Sequence, residues 1–297
     1  MTLTEIPISS DATAAFTPVI AGYRETIFHH PDGPNIHMLQ SPEAARLAMA
    51  DDNLDILTTA NDGDLVLLST GNTSKAFYPV FVARAQERRI NLARFRYGHI
   101  DNYVYDPLNY PFGTDNQDYE KFLRKHFIEP AGIPKDNFFP IHGYTADPHK
   151  VASDYDQWLE SQRIVVAIAG AFGPKPVAHF AFMKPGMNLE VGVAAINLSG
   201  EVVRRDVTRA EEADYPPPPT RAITLGLRHF RRAQHIFTIN CGSEYVSRVT
   251  LALTGPIDPR VIGTYFRTEG FGKKVNIYLD PATAQPIIEH FSIQQER

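Results

Sequence analysis

The apolar run Leu65-Val-Leu-Leu68, set between Asn61-Asp-Gly-Asp64 and Ser69-Thr-Gly-Asn-Thr-Ser74, does most to limit what this chain can fold into. Four apolar residues bounded by turn chemistry suit a short buried strand, and the residues after Ser74 return to a helical spacing as far as about Arg89. The Thr70-Gly-Asn-Thr73 turn between them reads in two ways. A strand that runs straight into a helix leaves backbone N–H groups without intrahelical partners at the positive end of the helix dipole, which makes a cradle for a phosphate or carboxylate. Gly71 lets the backbone approach a ligand, and the hydroxyls of Thr70 and Thr73 add donors beside Asn72. The plainer alternative is an ordinary strand-to-helix loop with Ser74 as its N-cap.

The same alternation continues along the chain. Ile36 to Leu39 reads as a strand, and Ser41-Pro42-Glu43 as an N-cap, a first-turn proline and an early acid opening a helix that runs to about Ala60. Leu92 to Ile100 reads as a strand ending at Asp101, Asp118 to Phe127 as a helix, and Ile164 to Gly170 as an apolar strand of the kind buried on both faces of a parallel sheet. Ala222 to Leu227, Ile236 to Cys241 and Val275 to Leu279 supply further strands. This rhythm predicts an α/β fold: a three-layer sandwich with a mostly parallel, Rossmann-like sheet and helices on both faces. Ligands bind beyond the carboxyl ends of strands in such sheets. Residues 1–34 read as an N-terminal extension, 35–297 as a single domain, and 200–219, charged and closed by Pro216 to Pro219, as a candidate lid.

A net charge of -5 without a long Lys or Arg run argues against nucleic-acid and membrane-surface partners. No apolar stretch is long enough to span a bilayer, so the expectation is a cytoplasmic protein. The single cysteine, Cys241, excludes an intramolecular disulfide and lies in an apolar run, where it reads as a buried structural thiol. Histidine spacing gives no metal site, nucleotide fingerprints are absent, and no cofactor is expected.

Three residues stand out as chemistry. Asp101 sits at a strand end, where a carboxylate serves either as a general base or as a turn cap. His179, in Ala178-His-Phe-Ala-Phe182, follows a Gly- and Pro-rich loop and is either a core histidine or a reacting group. Lys184 is either an exposed lysine or a contact for a substrate anion.

Taken in order, these segments resemble the glucosamine-6-phosphate deaminase and 6-phosphogluconolactonase superfamily, the deaminase branch more closely. Ser69-Thr-Gly-Asn-Thr73 resembles the family's phosphate loop, and Ile100-Asp-Asn-Tyr103 its Met-Asp-Glu-Tyr segment. Asp118 to Asn137 is similar to the following helix and loop. Ala178-His-Phe-Ala-Phe-Met-Lys-Pro185 resembles Gly-His-Ile-Ala-Phe-Asn-Glu-Pro, and Arg221-Ala-Ile-Thr-Leu-Gly226 the strand after the lid. Cys241-Gly-Ser-Glu-Tyr245 resembles the Gly-Ser-x-Lys turn. The likeness spans about residues 36 to 285.

It implies a sugar-phosphate isomerase or deaminase in which Asp101 moves a proton between C2 and C1, His179 opens the sugar ring, and Thr70, Gly71, Asn72, Thr73 and Lys184 hold a sugar or sugar phosphate. A homo-oligomer is compatible with it. Four positions depart from the pattern: Val177 and Lys184 replace acids near the histidine, while Tyr245 and Asp214 replace cations near the phosphate. A binding or regulatory protein without catalysis, or a 6-phosphogluconolactonase-like hydrolase, is the alternative reading.

Overall fold

The computed structural model describes residues 25–30, 32–105, 118–170, 172, 180–198, 200 and 219–295. The strands are β1 (Glu25–His29), β2 (Asn35–Leu39), β3 (Leu65–Leu68), β4 (Arg96–His99), β5 (Asp101–Tyr103), β6 (Phe138–Phe139), β7 (Ile164–Ile168), β8 (Val193–Asn197), β9 (Arg221–Leu225), β10 (His235–Ile239) and β11 (Val275–Leu279). The helices are α1 (Pro42–Thr59), α2 (Asn72–Glu87), α3 (Tyr119–Leu123, continued by a π-helical turn over Arg124–Ile128), α4 (Pro148–Glu160), α5 (Leu227–Arg232), α6 (Ser243–Thr254) and α7 (Pro281–Gln295).

Eight strands form one sheet in the order β1-β2-β11-β10-β7-β3-β4-β6. Every pairing is parallel except that of β1 with β2. All residues of β3 and β7 are buried, as a central strand covered on both sides requires. Leu65 and Leu67 face a core shared with α4, α5, α6 and α7, whereas Val66 and Leu68 face one shared with α1, α2 and α3. The expected three-layer α/β sandwich is therefore the fold that forms. Ser41 caps α1 as its sequence indicates, its hydroxyl accepting from the Ala44 N–H at 3.2 Å.

Several boundaries differ from the sequence reading. Leu92–Arg94 is a 3-10 turn rather than the start of a strand, and β4 occupies only Arg96–His99. Asp101 does not end that strand; it begins β5, which leaves the large sheet for a second, antiparallel sheet in the order β5-β9-β8. Ile100 is the junction: its N–H donates to Leu68 in the large sheet at 3.1 Å, and its carbonyl accepts from Leu225 in the small one at 2.8 Å. Within the stretch read as an N-terminal extension, Glu25–His29 forms the edge strand β1; residues 1–24 lie outside the described residues. Most of the candidate lid, 201–218, also lies outside them.

The end of β4 is clamped by one side chain. Tyr155 of α4 accepts a hydrogen bond from the His99 N–H at 3.0 Å and donates to the His99 carbonyl at 3.1 Å. Gly98 makes room for it, since a Cβ there would lie 2.5 Å from the Tyr155 hydroxyl oxygen. Replacing Tyr155 with Phe leaves a buried donor and acceptor unpaired and is expected to cost about 1–3 kcal/mol. Urea unfolding should show a lower midpoint at unchanged slope; a midpoint equal to wild type would mean the clamp adds nothing.

Candidate active site

The chain passes from β3 outward to β4 and β6, then returns to the other side of β3 as β7 and continues outward to β10 and β11. This reversal makes the carboxyl ends of β3 and β7 the topological switch point, the place where open α/β sheets form a ligand crevice. In register, Leu67 lies opposite Ala167 and Leu68 opposite His99. Beyond these pairs Ser69 and Thr70 leave β3 beside the residues that leave β7, while Asp101 follows Ile100 into the second sheet. The first contact is close: a Cβ at Gly170 would lie 3.5 Å from the Ser69 Cβ and 3.9 Å from the Thr70 carbonyl.

Gly71 supplies the turn between β3 and α2 with a positive φ of 101° and is the N-cap, without a side-chain cap. Ser74 is therefore not the cap: it is buried in the first turn, where its hydroxyl lies 2.8 Å from that of Ser69 and donates to the Thr70 carbonyl at 3.3 Å. The buried Tyr78 hydroxyl donates to the Ser69 carbonyl at 2.5 Å. No acid occupies the first turn of α2, so its dipole is left uncompensated from within the helix. Opposite it, α6 starts at Gly242, whose N–H donates to Asp280 at 2.9 Å. Tyr245 in the first turn of α6 brings its hydroxyl within 3.3 Å of the Thr73 hydroxyl. The two helix N-termini approach each other through this pair, but α6 carries Glu244 in its first turn and Asp280 on its cap N–H, so the uncompensated dipole that favours an anion is that of α2.

Asp101 is 6% exposed and opens β5 opposite Thr224. Burial alone lifts its carboxyl from 3.8 to about 7, because removing water penalises the charged form. Its charge is also felt at Tyr78, whose ionisation it opposes, so the carboxyl and the turn share one electrostatic neighbourhood. A carboxyl half-ionised near neutrality is suited to accepting and returning a proton.

The Thr224 hydroxyl accepts from the Phe182 N–H at 3.1 Å, and Phe182 packs on Tyr103 with ring centroids 4.9 Å apart. That fastens the segment after His179 to the strand partner of Asp101. His179 itself lies outside the described residues, as do 173–178. Lys184 is half-buried in a turn held by a bond from the Gly186 N–H to the Pro259 carbonyl at 2.7 Å. Among the described residues no hydrogen bond or ion pair joins its amine to Asp101 or to Thr70–Thr73. Cys241 is half-buried rather than fully buried, and burial of its thiol pushes the pKa up to about 12, so it is not a nucleophile.

Sequence reading did not find Thr224 or the junction at Ile100, because the register of the second sheet is set by residues more than 120 positions apart. Nor did it find Asp156, Glu160 and His229, whose ligand atoms gather within 4.8 Å. Arg228 bridges Asp156 at 2.6 Å and Glu160 at 3.0 Å, and Arg232 donates to His229 Nδ1 at 3.2 Å. With two guanidinium groups and the His229 Nε2–H already serving both acids, the cluster is an ion-pair lattice joining α4 to α5.

The fold is one that solved glucosamine-6-phosphate deaminases and 6-phosphogluconolactonases share. Glucosamine-6-phosphate deaminase from Streptomyces coelicolor is 26% identical over 193 residues, 65% of this chain and 71% of the relative. The Corynebacterium glutamicum (strain R) deaminase is 22% identical over 243 residues, covering 80% and 89%. Among solved structures, a monomeric glucosamine-6-phosphate deaminase superposes with a TM-score of 0.71 at 16% identity, over 84% of this chain and all but 1% of its own. The Trypanosoma brucei 6-phosphogluconolactonase gives 0.62 at 18%, over 88% and 99%. No family model matches. In sequence and fold the chain is similar to the glucosamine-6-phosphate deaminases, at 22–26% identity to these relatives. Among the described residues no helix is long and apolar enough to cross a membrane.

Ionising Asp101 has a stability cost whose sign is fixed. Its folded pKa lies above its unfolded value, so the folded state holds the extra proton and stability falls as pH rises from about 4 to about 7. At about 1.4 kcal/mol per pH unit the loss approaches about 4 kcal/mol above pH 7. Asp101→Asn, which cannot ionise, should therefore be more stable than wild type at pH 8 and lose that margin at pH 4 in parallel denaturant titrations. An equal difference at both pH values would mean that the carboxyl is not desolvated.

Proposed function

We propose that this protein is a cytoplasmic sugar-phosphate isomerase/deaminase that acts by proton transfer on an amino sugar phosphate or a related sugar. The observation that carries the reading is the desolvated Asp101 carboxyl, whose charge is felt at Tyr78 in α2, the helix with the uncapped N-terminus. The Thr70–Thr73 turn holds the anionic end of the open-chain sugar through backbone N–H groups and hydroxyls. Asp101 takes the C2 proton and returns it to C1, so an aldose with a C2 amine becomes a C2 imine by way of an enolamine. Water then adds at C2 and ammonia leaves, giving the ketose; with a hydroxyl at C2 the same transfer stops at isomerisation. His179 serves in ring opening, with Val177 and Lys184 where acids would assist it in the deaminase pattern. Lys184 contributes a positive charge toward an acidic substituent. The solved deaminase is described as monomeric, so self-association is an added property to be measured by sedimentation rather than one the fold demands.

Incubation with phosphorylated and unphosphorylated amino and neutral sugars, following ammonia and ketose, tests this reading. Turnover is expected for at least one of them, with kcat/KM rising with pH to a midpoint near 7 as Asp101 becomes the free base. Asp101→Asn should lower kcat by about 100-fold or more, the range that general-base catalysis supplies. Thermal stabilisation by a sugar phosphate without turnover of any substrate would instead identify a binding protein. Hydrolysis of 6-phosphogluconolactone alone would identify a lactonase.

A further inference from the structure

Arg248 lies one helical turn after Tyr245 on α6 and is only part-buried, yet each of its three guanidinium nitrogens donates to a backbone carbonyl. Nη1 donates to the Phe172 carbonyl at 3.1 Å, while Nε, at 3.0 Å, and Nη2 both donate to the Glu244 carbonyl. The same group lies over the Tyr245 ring, 4.9 Å from its centroid. Phe172 is fully buried and held at a φ of 57°, a left-handed conformation that residues with a Cβ rarely adopt. A surface arginine has no need of backbone carbonyls that water could serve. Here the planar fork joins two of them and presents its face to an aromatic ring, a combination that a lysine ammonium cannot reproduce.

The three contacts converge on the ligand crevice. Phe172 lies two residues after Gly170, which abuts Ser69 and Thr70, and Tyr245 reaches the Thr73 hydroxyl. We propose that Arg248 is a positioning residue for the anion turn: by bracing Phe172 and the first turn of α6, it holds the Tyr245 hydroxyl against Thr73. The consequence is a turn preorganised to receive the anionic end of the substrate, so Arg248 acts on binding through Tyr245 and Thr73 without touching substrate. This rests on the proposed sugar-phosphate site.

Two arms separate the brace from the activity. In the first, hydrogen exchange followed by mass spectrometry compares wild type with Arg248→Met and Arg248→Lys. Both variants should exchange at least fivefold faster in peptides covering Ser69–Phe77 and Ile164–Phe172, with no change in α1. Exchange unchanged in the first two peptides, or raised equally in α1, overturns the proposal. In the second arm, with glucosamine 6-phosphate as probe, both variants should raise KM at least tenfold, lower kcat less than threefold, and keep the wild-type pH midpoint. Added guanidinium at low millimolar concentration should restore much of the KM of Arg248→Ala. A fall in kcat at constant KM overturns the proposal. If the wild-type enzyme does not turn over this probe, the substrate reading fails, while the exchange arm still decides the role of Arg248.

Discussion

One residue carries both sheets. The Ile100 N–H is bonded to β3 and its carbonyl to β9, so the chain leaves the large sheet immediately before Asp101 and enters the small one with it. The carboxyl is thereby buried between two sheets instead of projecting from a strand end into water, and its raised pKa is a direct result. The Tyr155 clamp on His99 fixes the last residue of β4 before this turn, and Gly98 is the side-chain vacancy that admits the clamp. The placement of the proposed base is thus a property of backbone pairing, reinforced by one phenol.

The anion turn depends on the same register from the other side. Because β3 lies between β4 and β7, the turn after it abuts Gly170 on one side, and on the other Leu68 bonds Ile100, the residue before Asp101. Tyr245 at the start of α6 replaces the lysine of the related Gly-Ser turn with a neutral hydroxyl that meets Thr73. The positive potential at the described part of this turn comes from the α2 dipole, since Glu244 and Asp280 offset that of α6, and the hydroxyl pair supplies directionality.

Much of this was legible in the chain because it is local. The buried runs of β3 and β7, the Ser41-Pro42 helix start and the Gly71 turn are each written within a few residues, and each formed. What was not legible depends on distant partners. Ser74 looks like an N-cap from its neighbours, but the hydroxyl of Ser69 claims it and Gly71 takes the capping position. Leu92 to Ile100 looks like one strand, but Ile100 has a better use at the boundary between sheets, so the pattern divides. The strands β5 and β6 carry too few residues for their periodicity to be read, β8 is half-buried along nearly its whole length and so shows no alternation, and the pairing of Thr73 with Tyr245 spans 172 positions.

The central claim is that Asp101 is a desolvated carboxyl that ionises near neutral pH. Titration of the 13C carboxyl resonances of the whole protein, with Asp101→Asn used to assign the signal, measures this without a substrate. The account predicts a midpoint near 7 for the resonance that the variant lacks. A midpoint near 4, the value of a carboxyl in water, would contradict it.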